Sequence, residues 1–167
     1  MKKSALITLL IIVQFSAYSD SWIPKANLVG SPRSAPFCFS INGKGYMGAG
    51  LTSYPVASYC ADFWEYDPAG DYWTQKADFG GVPRYCMIGF SVGGYGYAGT
   101  GKEHPSSYLY NDMWKYDPLL NTWIQVSSFP GPGRTTAFTF TVNNEVYAGL
   151  GRAASTAFLN DWYKYNQ

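Results

Sequence analysis

Residues 112–123 read DMWKYDPLLNTW, and the same pattern stands at 62–73 as DFWEYDPAGDYW. It begins a third time at Asp161 as DWYKYNQ. Asp62 to Asp112 is 50 residues, Asp112 to Asp161 is 49, and Trp73 to Trp123 is 50. A fixed period of this size is the signature of a repeat architecture, in which one supersecondary unit stacks on its neighbours.

Working outward, Trp22, Trp73 and Trp123 each precede an arginine (Arg33, Arg84, Arg134) by 11 residues. Each arginine precedes a glycine (Gly50, Gly101, Gly151) by 17 residues. Inside that interval Phe39, Phe90 and Phe140 align, as do Tyr46, Tyr97 and Tyr147. The glycine pairs Gly48/Gly50, Gly99/Gly101 and Gly149/Gly151 align too. Only the next connection varies, from 12 to 11 to 10 residues, and length variation confined to one place marks a surface loop.

Each unit reads as four short strands. Phe90 and Val92, or Phe140 and Val142, alternate as in a half-buried first strand. Gly93-Gly94 and Asn143-Asn144 suit the positive φ of a tight hairpin. The second strand holds the tyrosine and the glycine pair. The third is the Asp-x-aromatic-x-Tyr run. Alternation puts Trp114 and Tyr116 (or Trp64 and Tyr66) on one face, expected to be a buried aromatic stripe. Met113 and Lys115 (or Phe63 and Glu65) fall on the other, expected to be half wet. Asp117-Pro118 fits a type I turn, Asn121 suits its exit, and Trp123 opens the fourth strand.

Composition agrees. Aromatic residues are 19% of the 167, charged residues only 14%, and 18 Gly and 10 Pro supply turns. Lys2 and Lys3, the apolar run Ala5–Val13 and the small residues Ala17 and Ser19 read as a secretory signal peptide over 1–19. The apolar run is shorter than the ~20 residues that span a bilayer, so no membrane insertion is expected after cleavage. Without Lys2 and Lys3 the chain has 10 Lys+Arg against 11 Asp+Glu, net −1. No basic run survives, which argues against nucleic acid as partner. Cys38, Cys60 and Cys86 occupy non-equivalent places in the repeats. Two readings stand, one oxidised pair outside the cytoplasm or small buried apolar side chains, and the second is preferred. No CxxC spacing exists, and neither metal nor cofactor is expected.

Four strands per unit of about 50 residues is the arithmetic of a β-propeller blade. With Arg84, the split diglycine Gly99/Gly101, Tyr116 and Trp123, and their equivalents, the chain resembles the kelch-repeat family, in its exported bacterial, galactose-oxidase-type variety. The resemblance covers essentially all of 20–167. It implies an all-β fold, with a fourth-strand segment at 22–32 and repeats at about 33–83, 84–133 and 134–167. The last copy departs from it: Tyr163 stands where Trp64 and Trp114 stand, and Tyr165 leads into Asn166-Gln167 instead of Asp-Pro. Kelch propellers commonly close by letting one terminus complete the blade begun by the other. Two expectations stand side by side: a homodimer closing a six-bladed ring, each chain donating its Trp22 strand, or a shortened member of a family of longer propellers.

The candidate sites follow. Arg33, Arg84 and Arg134 are read either as a guanidinium ring for an acidic or sugar ligand or, preferably, as ties between neighbouring units. Asp62, Asp112 and Asp161 are read as turn caps or acceptors for backbone N–H groups. His104, the single histidine, reads as a surface-loop residue rather than a catalytic base. Tyr54, Tyr59, Tyr108 and Tyr110 lie in the variable loops and are the ligand candidates. The expected role is a non-catalytic module binding a protein or glycan outside the cytoplasm. The alternatives are a sugar-active enzyme of epimerase or oxidase type, or a truncated, non-functional member.

Overall fold

The computed structural model describes residues 20–52, 58–103, 106, 108–154 and 157–167. Among the described residues fourteen strands follow in chain order. They are β1 (Arg33–Ser34), β2 (Phe37–Ile41), β3 (Lys44–Gly48), β4 (Leu51–Thr52), β5 (Ser58–Tyr59), β6 (Phe63–Asp67) and β7 (Tyr72–Lys76). Then come β8 (Ile88–Val92), β9 (Tyr95–Gly99), β10 (Met113–Asp117), β11 (Thr122–Val126), β12 (Phe138–Val142), β13 (Glu145–Gly149) and β14 (Trp162–Lys164).

They form four antiparallel sheets: β2-β3-β6-β7, β8-β9-β10-β11, β12-β13-β14 and a small β1-β4-β5. No helix occurs among the described residues. The fold is all-β and propeller-like, and the three larger sheets carry one repeat each. Residues 22–32, expected as a fourth-strand segment, form no strand, although Ala26 is held against β7 by Trp73 and the neighbouring Asp71.

Local chemistry sets each sheet. In the turn between β10 and β11, Asp117 Oδ1 accepts from the N–H groups of Leu119 (2.8 Å) and Leu120 (3.1 Å). Asn121 leaves that turn at φ 53°, and Asp71 does the same at φ 54°. The pairing register then repeats: Tyr66 faces Trp73 and Tyr116 faces Trp123.

Sheet packs on sheet through aromatics. Phe37 (1% exposed) and Phe39 of β2, with Phe63 of β6, meet Tyr116 and Trp123 of the next sheet. Ile88, Phe90 and Met113 repeat this against Tyr163 and Tyr165. The half-wet face expected for the third strand is therefore corrected. Phe63 (0%) and Met113 (5%) are as buried as Tyr116 (0%), because the following sheet packs over that face. The cysteine reading is corrected as well. All three thiols are free, Cys38 is exposed, and Cys60 and Cys86 are half-buried. Cys38 alternates with Phe37 and Phe39, so the packing that buries the rings turns the thiol outward.

Candidate binding surface

The chain reverses at 42–43, 93–94 and 143–144 at one end of the sheets, and the variable loops and the repeated arginines lie at the other. At the loop end Arg33 binds Asp62 through two parallel bonds of 2.6 Å and also donates to the carbonyls of Ser31 and Ala49. Arg134 binds Asp161 likewise, at 2.6 and 2.8 Å, and donates to the carbonyls of Leu150 and Pro130. Arg84 reaches Asp112 at 2.6 Å. The side chains of Arg84 and Arg134 are fully buried, and that of Arg33 is 3% exposed. The guanidiniums pair with aspartates inside their own repeats, and only the bonds of Arg33 to Ser31 and of Arg134 to Pro130 reach back into the preceding segment. The aspartates are not turn caps. They neutralise these arginines, and Asp62 and Asp112 also accept the indole N–H of Trp64 (2.6 Å) and Trp114 (2.9 Å).

Electrostatics follow the geometry. Burial pushes the Asp62 carboxyl up, but the hydrogen bonds from Arg33 and Trp64 outweigh it and hold it below the usual carboxylate range. The Arg134 bonds do the same for Asp161. Burial lowers the Arg84 pKa, opposed by Asp112.

The second repeat breaks the pattern. Arg84 Nε and Nη1 have no protein partner. The Tyr110 ring lies 4.2 Å from the guanidinium carbon, and the Tyr110 hydroxyl donates to Glu103. Burial and then that bond push the Tyr110 hydroxyl up to about 12. Cys60 and Leu159 hold the equivalent position in the other repeats, so this arrangement occurs once.

Around it the predicted tyrosines separate into two groups. Tyr108 packs edge-on against Tyr110, with centroids 4.7 Å apart. Tyr59 stacks on Tyr85 at 5.7 Å. Tyr108 is 60% exposed and borders a cavity of about 520 Å³ with Ser106, Leu109, Pro132, Gly133 and Ala153. Tyr54 and His104 lie outside the described residues. Among the described residues no three His, Cys, Asp or Glu side chains are grouped to hold a metal.

A second polar cluster lies at the turn end and escaped the reading of the repeats. Glu65 takes Lys44 (2.8 Å) and the Tyr46 hydroxyl (2.6 Å), with Lys76 at 3.5 Å, beside a cavity of about 400 Å³. Lys115 and Lys164 hold the equivalent positions. That departure from the repeat was the available signal.

No family model matches the sequence, and no curated protein does. Among solved structures the chain is similar to one titled "Structure of YjhT", with a TM-score of 0.68 and 15% identity over 85% of this chain. The match covers 54% of that chain, so this sequence spans about half its length. At that identity the likeness concerns the fold alone.

Proposed function

We propose that the chain is an exported, kelch-type propeller segment acting as a non-catalytic binding scaffold, its variable loops presenting tyrosines to a glycan or protein ligand. The observation that carries this is Tyr108. It is exposed, braced edge-on by Tyr110, and stands over the loop-end cavity in a loop that differs between repeats. A braced ring offers a rigid apolar face at little conformational cost, and its hydroxyl adds a hydrogen bond. The repeated Arg and Asp side chains are occupied in holding each sheet to its loop.

The test is a glycan array together with affinity capture of extracellular proteins, run with the wild type and with Tyr108→Ala. The reading expects a ligand whose binding weakens at least about 30-fold in the variant, as for truncation of a central aromatic anchor. Turnover of a sugar by the purified protein overturns it, as does a ligand that ignores Tyr108.

A further inference from the structure

The third large sheet lacks an outer strand beyond β14 among the described residues, and what lies there is specific in shape. In the second sheet, Trp123 of the outer strand packs against Phe37, Phe39, Phe63, Phe79 and Tyr116. One repeat later those positions are Ile88, Phe90, Met113, Phe129 and Tyr165. Four of the five line a cavity of about 250 Å³ beside β14. The cavity is thus the repeat-equivalent seat of an indole.

The polar fittings repeat as well. Trp73 donates its indole N–H to the Ala26 carbonyl (3.0 Å), and Trp123 donates to that of Ala77 (3.2 Å). Two residues before each tryptophan stands Asp71 or Asn121. Asp71 accepts from Ala26 N–H (3.0 Å) and the Tyr66 hydroxyl (2.6 Å). Asn121 accepts from Ala77 N–H (2.9 Å) and the Tyr116 hydroxyl (2.8 Å). At the seat beside β14 the corresponding groups are the Ser127 backbone and the Tyr165 hydroxyl, and Ser127 is exposed. The matching plug is Trp22: it stands 11 residues before Arg33, as Trp73 and Trp123 stand before Arg84 and Arg134, it follows Asp20 by two residues, and it is fully exposed.

The flanking faces agree. Phe138 (63% exposed), Phe140 (49%) and Trp162 (42%) occupy positions that in the first sheet are Phe37 (1%), Phe39 (9%) and Phe63 (0%). What covers Phe37, Phe39 and Phe63 is Trp123; its equivalent on the open side of the first sheet is Trp73.

We propose that residues Asp20–Lys25 of a second copy form the missing outer strand along β14, with Trp22 seated in the cavity over Tyr165. In this arrangement the Trp22 indole donates to the Ser127 carbonyl, and Asp20 accepts from Ser127 N–H and the Tyr165 hydroxyl. The same approach lays Trp73 of the second copy over Phe138, Phe140 and Trp162. Pro24 is acceptable because the strand is an edge. The exchange is reciprocal, so two copies joined at both ends form a closed ring of six sheets with no exposed sheet edge at either junction.

The experiment is the mass of the full exported protein in solution, by size exclusion with light scattering across a dilution series. A dimer is expected, and Trp22→Ala is expected to weaken it at least about 30-fold, as for loss of a buried tryptophan anchor. Trp22 touches nothing in the single chain, so the variant folds as the wild type does. As a second measurement, a synthetic peptide of residues 20–26 is titrated into the Trp22→Ala protein. It is expected to bind, and the same peptide with alanine for Trp22 is not. A wild-type monomer overturns the proposal, as does a dimer indifferent to Trp22→Ala or a peptide that fails to bind.

Discussion

Asp112→Ala tests the reading that the repeated Arg–Asp pairs hold the structure. Arg84 is completely buried, its one side-chain hydrogen bond goes to Asp112 at 2.6 Å, and its Nε and Nη1 have no protein partner. Removing the carboxylate leaves a buried cation without its hydrogen-bonded counter-charge, and it deprives the Trp114 indole of its acceptor. Breaking one side of a buried pair costs about 3–5 kcal/mol. The Asp112 side chain is 19% exposed, so water reaches the site and the lower end, about 3 kcal/mol, is the expectation. With a urea slope of about 2 kcal/mol per molar, the unfolding midpoint falls by about 1.5 M. Tryptophan fluorescence reports it, at one fixed protein concentration because assembly would shift the midpoint. The partner experiment is Arg84→Met with Asp112→Leu. Replacing both charges with apolar groups is expected to cost far less than the sum of the single changes, a coupling of about 2 kcal/mol or more. A loss below about 1 kcal/mol for Asp112→Ala, the range of an exposed pair, would refute the reasoning. Additive single changes would refute it too.

Three further outcomes are expected. Gly101→Ala should destabilise by about 1–3 kcal/mol in thermal unfolding, because Gly101 sits at φ +96° and a Cβ there would lie 2.8 Å from the Tyr85 carbonyl. Asn121→Ala should cost a comparable amount, since it removes the acceptor shared by Ala77 N–H and the Tyr116 hydroxyl at a positive-φ position. In acid, Asp62 and Asp161 have folded pKa values below their unfolded ones, so their stabilisation is present above the unfolded value of about 3.9 and is lost as pH falls through the folded values. Stability should therefore fall with pH below about 4, and Asp161→Asn should flatten that fall; an unchanged slope in the variant counts against the pairing.

The repeat and its strands were legible because they are written in contiguous residues. Period-two alternation, the Asp-Pro turn with Asn121 at its exit, and the recurring Trp–Arg–Gly spacing each act over a few positions. The loop-end tyrosines were legible as departures from that period. Tyr108 and Tyr110 do meet, yet the pairing of Tyr59 with Tyr85 brings together side chains 26 residues apart and could not be read off the loops.

Residues alone determined that this is an all-β chain of three similar units with one variable connection in each. Tertiary structure decided which side chains are interior and which charges meet. Phe63 is buried because a neighbouring sheet covers the face that alternation left open, and Cys38 is exposed because the packing of Phe37 and Phe39 turns it outward. Arg84 and Asp112 stand 28 residues apart, and only the antiparallel return of the chain brings them to 2.6 Å. The stretch at 112–123 shows the division. Its turn and strands follow from its own residues, whereas the seat of Trp123 is built by the preceding repeat. Burial and long-range charge pairing are properties of the neighbour, and no local pattern contains the neighbour.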